Sequence, residues 1–231
     1  MARSQVETMS LGVGIATGLY GISFGALAVA AGLEIWQAQL LSILMFSGGS
    51  QFAFIGVVAS GGLASLPAAI ASAWLLGIRN GFYALQMKPL LGVLGWKTPI
   101  AAQLNIDETT GVATAQSNLA DTRKGFWLTG VSVFVFWNLL TFAGALLGES
   151  IGDPSAYGLD AAAAAAFLGL LWPRLRALQP IAVAVAAGVI AVVLSPVLPA
   201  GLPILIAALS AVVVGGFNVF AAKPLDEGVE K

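Results

Sequence analysis

The sequence contains no cysteine and no histidine, and only 9% of its 231 residues are charged. Without these two residue types the chain can form no disulfide, no thiolate nucleophile, no Cys/His zinc site and no imidazole base. Hydrolases that depend on a histidine are therefore excluded, and we expect neither a metal nor a cofactor. The net charge of −1 also excludes the basic surface that binding to nucleic acid requires.

The remaining composition is strongly apolar. Hydrophobic residues make up 58% of the chain, and the mean hydropathy is +0.93. Soluble domains have about a quarter of their residues charged. Because so few charges could not solvate the surface of a soluble domain, we expect an integral membrane protein embedded in the lipid bilayer.

The charged residues are clustered, and the apolar stretches between the clusters have the length of membrane spans. A spanning helix needs about 20 mostly apolar residues. The pattern predicts an all-α polytopic membrane protein, a bundle of about 7–8 transmembrane helices, in one domain 1–231 with a short polar tail at 223–231. Single spans are predicted within 8–33, 125–148 and 159–173, and pairs of spans within 35–78 and 177–222, broken at 60–62 and 196–201.

The segment 99–119 is too polar for a helix that faces lipid. It could cross the membrane inside the bundle, enter it partway or lie on its surface. With eight spans, the N-terminus and Arg123 are cytoplasmic while Lys88 and Lys97 lie outside. With seven spans, the N-terminus lies outside while Lys88, Lys97 and Arg123 lie inside. Both arrangements satisfy the positive-inside rule once Arg79 is set aside.

Three pairs of glycines stand four residues apart, a spacing that lets helix backbones approach closely in lipid. Each pair predicts either packing within the chain or a docking face for a second subunit. The pairs are Gly14 and Gly18, Gly21 and Gly25, and Gly144 and Gly148.

A short polar element, 46–52, lies near the middle of the second predicted span. Its adjacent glycines, Gly48 and Gly49, weaken a helix and favour a discontinuity at this point. A helix broken at mid-membrane exposes backbone groups that can hold a carboxylate or an ammonium. The alternative is a kinked helix whose hydroxyls bond their own backbone.

Arg79 lies about 20 Å along the next predicted span, counted from Leu66. An ionisable group inside the membrane is costly and points to function. A guanidinium suits the bidentate capture of a carboxylate, either from a substrate or from within the chain. The alternative is that Arg79 snorkels to the nearer interface.

Asp107 and Glu108 stand side by side in the polar segment. Adjacent carboxylates point about 100° apart on a helix, so they are poorly placed to share one proton. One of them could pair with Arg79 while the other faces water. Because the chain has no histidine, these carboxylates are its best candidates for carrying a proton, and Glu34 at a helix end is a weaker one. The alternative is a solvated loop.

Four motifs in this order resemble the AzlC-type large subunit of the branched-chain amino acid exporters. Residues 47–52 resemble its Ser-Gly-small-small-Gln-Phe element, 79–83 its Arg-His-x-x-Tyr element, and 107–109 its Asp-Glu-(Ser/Thr) element. Residues 158–160, and the apolar stretch after them, resemble its Gly-Leu-Asp segment and the following helix. Trp137 also matches the family pattern, and the similarity to the family extends over about 11–220.

Two positions depart from the family. Gly77 stands where the family often has asparagine, and Asn80 where it often has the histidine that follows the arginine. A proton role for that histidine therefore cannot be carried over, so any proton coupling would fall to Asp107 or Glu108.

The resemblance implies a secondary transporter, not an enzyme, that exports branched-chain amino acids, and often methionine, across the bacterial inner membrane. It implies coupling to protons or to the membrane potential, and a small AzlD-type membrane subunit as partner. A channel, a non-transporting scaffold and a membrane enzyme acting on lipid phosphates are the alternatives. The residues expected to bind substrate are Ser47, Gly48, Gly49, Ser50, Gln51, Phe52, Arg79, Asn80 and Tyr83, and those expected to couple protons are Asp107 and Glu108.

The expected mechanism is alternating access around a site near mid-membrane. The substrate carboxylate would meet the N–H groups at Gly48–Gly49, or Arg79. Its ammonium would meet Asp107, Glu108 or the carbonyls of the broken helix. Its aliphatic side chain would lie against one or more of four aromatic residues, Phe46, Phe52, Phe54 and Tyr83.

Overall fold

The computed structural model describes residues 5–151, 168, 171–172, 175–199, 201–217 and 220, and these contain helices and no strand. Three helical stretches, Gln5–Ala30, Gly48–Leu91 and Leu119–Ser150, are long and apolar enough to cross a membrane. The all-α membrane fold class is therefore confirmed. The helices are α1 (Gln5–Ala30), α2 (Ile35–Leu44), α3 (Gly48–Gly61), α4 (Leu66–Leu91), α5 (Lys97–Gln103), α6 (Asp107–Thr114), α7 (Leu119–Ile151), α8 (Leu178–Leu194) and α9 (Leu202–Gly216).

The chain forms two compact units, Met1–Ala166 and Phe167–Lys231. In the second unit, the Gln179 side chain at the start of α8 donates to the Val214 carbonyl near the end of α9, so the two helices run antiparallel. The predicted break at 196–201 is confirmed, because α8 ends before it and α9 begins after it. The predicted span at 159–173 lies mostly outside the described residues.

Helices α1 and α7 run parallel and touch through the predicted glycines. A Cβ at Gly18 would lie 2.6 Å from the Phe136 Cβ, and one at Gly21 would lie 2.8 Å from the Trp137 carbonyl oxygen. The other four glycines of the three pairs have equally close neighbours on the facing helix. The alternative that these faces dock a second subunit is therefore wrong, because the two helices already occupy each other's glycine faces.

Helix α4 runs antiparallel to α1 and α7. At one end of the bundle, the Lys124 Nζ lies 2.7 Å from the Glu7 Oε1, so α1 and α7 begin together. At the same end, the Arg123 Nε donates to the Leu90 carbonyl, which places the last turn of α4 there. The first residues of α4 lie at the opposite end, where Leu33 and Leu66 pack against a buried apolar cluster with Val57 and Val58.

Helices α2 and α3 form a hairpin that reaches the middle of the bundle and returns. Ser47, extended at φ −159° and ψ 94°, ends the break between the two helices, so the predicted discontinuity near Gly48–Gly49 is confirmed. Phe46 at the tip packs against Phe134, halfway along α7, with ring centroids 5.0 Å apart. The end of α3 lies beside Leu33, where α2 also starts.

The first of the two spans predicted within 35–78 is therefore wrong, whereas the break at 60–62 and the span after it are confirmed. Helices α2 and α3 are about 15 Å and 21 Å long, shorter than the hydrocarbon core of about 30 Å. Neither crosses the membrane alone, and because they run in opposite directions they do not cross it together.

Helices α5 and α6 form a second hairpin that enters from the other end. Gly92, before α5, lies beside Arg123 in the first turns of α7, and α6 leads directly back to the start of α7. At the tip, a Cβ on Gly130 of α7 would lie 3.0 Å from the Leu104 Cβ. Of the three predicted placements for 99–119, the structure therefore has the one that enters partway.

The two hairpins overturn both predicted topologies. Lys88 and Arg123 lie at the same end of the bundle, which contradicts the eight-span arrangement. The Glu7–Lys124 ion pair places the start of α1 at that end too, which contradicts the seven-span arrangement. Both arrangements assumed that the first half of 35–78, up to the break at 60–62, crosses the membrane.

Candidate substrate site

The tips of the two hairpins meet beside Arg79 of α4. The Arg79 Nη2 lies 3.1 Å from the Asp107 Oδ2, at the first residue of α6. A Cβ on Gly49, in the first turn of α3, would lie 3.0 Å from the same nitrogen. The first N–H groups of a helix have no partner within it and carry a partial positive charge. Two helix N-termini and one guanidinium therefore surround this point, which favours negatively charged groups.

The Arg79–Asp107 pair confirms that one carboxylate of the acidic pair binds the arginine. The two side chains are 31% and 28% exposed, so the pair is neither fully buried nor in open solvent. Arg79 does not snorkel, because its guanidinium packs against Gly49 instead of extending to an interface. Asp107 is also favoured by its place in the first turn of α6. Glu108 is half-buried beside it.

Amide side chains satisfy the carbonyls that the broken helix exposes. The Gln103 Nε2, at the end of α5, donates to the Ile43 carbonyl at 2.7 Å and to the Leu44 carbonyl at 3.4 Å. The Gln51 Nε2 donates to the Leu41 carbonyl at 3.2 Å. Gln103 of the second hairpin thus caps the tip of the first, and Gln51 joins the two helices of the first hairpin. The alternative of a single kinked helix is therefore wrong.

Asn105 joins the second hairpin to α4. Its Nδ2 donates to the Asn80 carbonyl at 2.7 Å, and its side chain is buried. Next to it, the buried Thr109 hydroxyl donates to the Leu104 carbonyl at 2.9 Å and fixes the turn into α6. The segment that positions Asp107 is therefore held by hydrogen bonds on both sides.

An aromatic cluster supports the first hairpin from behind the tip. Phe24 stacks on Trp137 with centroids 6.0 Å apart, and Phe52 meets both rings edge-on. A Cβ on Gly48 would lie 3.2 Å from the Trp137 ring. This cluster sets the position of the first turn of α3 through direct packing.

A cavity of about 1280 Å³ opens between the first hairpin, α4 and α5. Its wall is mostly apolar and includes Phe46, Phe54 and Trp74. The α4 side of the wall carries Ala73, Gly77 and Gly81, whose small size makes the space. Six polar residues contribute to the wall, namely Gln37, Ser47, Ser50, Asn80, Gln103 and Asn105.

The AzlC protein family model matches residues 12–151, the stretch that contains most of α1, both hairpins, α4 and α7. This chain belongs to the AzlC family. Comparisons with curated proteins and with solved structures found no match. The AzlC family is a transporter family, so the chain is a membrane protein with a transport-related function.

The AzlC hairpins bring some of the predicted substrate residues together and separate others. Ser47, Ser50 and Asn80 line the cavity, and Gly49 lies against Arg79. Gln51 and Phe52 are fully buried in the helix packing, and Tyr83 is half-buried on α4 outside the cavity wall. Of the four aromatic residues expected beside an aliphatic side chain, Phe46 and Phe54 line the cavity.

Sequence reasoning missed the roles of Gln103 and Asn105 in this AzlC protein. Both stand in the segment whose polarity was noted, but their partners lie on α2 and α4, far away in the sequence. Their signal was the high polarity of a segment between apolar helices. Trp137 was noted only as a family feature, and its contact with Gly48 depends on the tertiary fold.

Proposed function

We propose that this AzlC protein exports branched-chain amino acids and methionine across the bacterial inner membrane, as the large subunit of a permease with a small AzlD-type partner. The observation that carries the proposal is Arg79 between the N-termini of α3 and α6, directly before Asn80, which lines a large apolar cavity. A hydrophobic amino acid has the matching chemistry, an anionic end and an apolar end.

The carboxylate of the substrate binds Arg79 and the first N–H groups of α3. A guanidinium donates two parallel hydrogen bonds to a carboxylate, and a helix N-terminus adds further donors. Ser47, the residue before α3, makes no side-chain capping bond to these N–H groups. The first turn of α3 can therefore donate to a ligand.

The aliphatic side chain of the substrate lies in the cavity. Ligand sites of about 300–1,000 Å³ hold drug-sized molecules, so the cavity of about 1280 Å³ is large enough for any single amino acid. Phe46, Phe54 and Leu41 supply apolar contacts in its wall. The wall carries no charged side chain, which disfavours charged amino acids.

Asp107 holds the guanidinium that the substrate carboxylate needs, so binding and release of the substrate exchange the partner of Arg79. Export on an inward proton gradient requires that a proton and the substrate exclude each other. Asp107 or its neighbour Glu108 supplies this exclusion, because an ionised carboxylate attracts the substrate ammonium through its charge and loses that attraction when it takes up a proton on the outer side.

The distribution of charge supports a cytoplasmic position for the start of α1. Lys88, Arg123 and Lys124 lie at the end of the bundle where α1 begins, whereas Glu34 and Glu149 line one cavity at the other end. Basic residues next to spans favour the cytoplasm. Because the chain has no cysteine of its own, single cysteines at Lys88, Arg123 and Glu34 can be labelled directly in whole cells. Labelling by a membrane-impermeant reagent is expected only at Glu34, and labelling at Lys88 alone would contradict this orientation.

The test of the proposal is radiolabelled leucine efflux from cells that express the chain with and without an AzlD-type subunit. We expect saturable efflux that depends on the proton gradient or the membrane potential and requires both subunits. Metal-dependent turnover of a lipid phosphate, or non-saturable leakage, would contradict it.

The same assay tests the cavity with Gly81→Leu. A Cβ on Gly81 meets nothing within 4 Å, so this position in the cavity wall has room for a side chain to begin. Efflux of leucine should fall about 10- to 200-fold relative to alanine, the range that one misfitting group gives in an apolar site. Gly56→Leu is the matched control, because Gly56 also has open space around it and does not line the cavity.

A further inference from the structure

Two residues of the cavity wall carry amide oxygens that accept no hydrogen bond from the described part of the chain. The Asn80 Oδ1 and the Asn105 Oδ1 are buried, and neither accepts a hydrogen bond from any residue that the structure describes. Both residues line the cavity. A buried acceptor without a donor costs free energy, so such a pair in one wall calls for an explanation.

The orientation of Asn105 is fixed by its own hydrogen bond. Its Nδ2 donates to the Asn80 carbonyl at 2.7 Å, so the oxygen is the end of the amide that remains for a ligand. The Asn105 side chain is only 4% exposed and is held at the tip of the second hairpin. The same bond keeps the two asparagines adjacent in the cavity wall.

The side-chain oxygens of Asn80 and Asn105 can accept hydrogen bonds from a cationic donor such as an ammonium group. Amide oxygens accept hydrogen bonds and carry no charge that would need a counterion when the site is empty. The hydroxyls of Ser47 and Ser50 line the same cavity and can accept as well. Asp107, the other acceptor expected for an ammonium, does not line the cavity.

We propose that Asn80 and Asn105 bind the α-ammonium group of the substrate. This inference rests on the proposed function, because it assigns the second polar end of the amino acid that Arg79 holds by its carboxylate. Asn80 follows Arg79 directly in the chain, so both ends of one amino acid can be reached from the same turn of α4. The pair makes the site selective for amino acids over the corresponding carboxylic acids.

The test compares three ligands in counterflow of labelled leucine into vesicles that contain the chain and its partner subunit. The competitors are leucine, 4-methylpentanoate, which lacks the ammonium, and N,N,N-trimethylleucine, whose nitrogen cannot donate. In the wild type we expect leucine to compete about 10- to 100-fold better than either analogue, the factor for a hydrogen bond to a charged group. Equal competition by all three would overturn the inference without any variant.

Asn105→Leu should lower the apparent affinity for leucine by about the same factor and leave that for 4-methylpentanoate unchanged. Asn138→Leu is the matched control, since Asn138 is also a buried asparagine that makes side-chain hydrogen bonds, but it does not line the cavity. Equal losses for both ligands would overturn the inference while leaving the proposed function in place.

Two further outcomes count against the inference. If Asn105→Leu changes a dependence on sodium in the vesicle buffer and not the affinity for leucine, the oxygens bind a metal cation instead. If the wild type shows no leucine counterflow, the proposed function fails and this inference fails with it.

Discussion

Replacing Arg79 with glutamine is expected to lower leucine export about 100-fold while the protein still assembles in the membrane. The charge-assisted bonds to the substrate carboxylate are worth about 3 kcal/mol, and about 1.4 kcal/mol corresponds to a factor of ten. Glutamine keeps a hydrogen-bond donor but carries no charge and has a shorter side chain. The measurement is the initial rate of radiolabelled leucine efflux, normalised to the amount of protein in the membrane.

Two variants separate the role of Arg79 in binding from its role in the fold. Arg123→Gln removes an arginine whose Nε donates to the Leu90 carbonyl at the end of the bundle, so it should change export little. Arg79→Gln combined with Asp107→Asn removes both charges of the ion pair. This double variant should recover any assembly that is lost when Asp107 loses the arginine, but it should not recover export. Normal leucine efflux from Arg79→Gln would contradict the assignment.

The pairing of Arg79 with Asp107 could be predicted from the sequence because few alternatives existed. One arginine and one adjacent pair of carboxylates stood in segments that lipid would not accommodate alone. A charge inside a membrane needs a partner of opposite sign, so the choice was narrow. The break before Gly48 was predictable for a similar reason, since two adjacent glycines among polar residues weaken a helix locally.

The hairpins could not be predicted in the same way. The stretch 35–61 is as long and as apolar as a full membrane span. Its composition is the same whether the chain crosses the membrane or turns back as a hairpin, so composition cannot distinguish the two. The direction of α3 is decided by contacts with α4, such as Gly49 with Arg79, and by Gln103, which caps the end of α2 from another hairpin. These are contacts between residues distant in the sequence, and hydropathy does not report them.

The packing of the three glycine pairs could be predicted only in part. Their spacing predicted close helix packing but could not identify the facing helix. The structure identifies it, because the glycines of α1 and α7 face each other's helix, and at Gly21, Gly25, Gly144 and Gly148 the nearest facing atoms are backbone atoms. The position of the site depends on this contact, since Trp137 on α7 packs against Gly48 at the start of α3.

Gly21→Val is therefore expected to impair both folding and transport. A Cβ there would lie 2.8 Å from the Trp137 carbonyl oxygen and 3.2 Å from the Thr141 backbone nitrogen. Backbone atoms of a packed helix cannot move aside as a flexible side chain can, so the two helices must separate. Overpacking of this kind costs about 1–3 kcal/mol. The measurements are the monodisperse fraction on size-exclusion chromatography in detergent, the apparent unfolding midpoint and the rate of leucine efflux.

Gly12→Val is the matched control on the same helix. A Cβ at Gly12 meets nothing within 4 Å, so the same side chain can be added there without a clash. The small cost of a β-branched residue in a helix is common to both variants and cancels in the comparison. A lower unfolding midpoint for Gly21→Val alone supports packing through the glycine face. A fall in efflux per correctly assembled molecule would further show that α1 acts on the site through Trp137. Equal stability of the two variants would mean that α1 and α7 do not touch along this face.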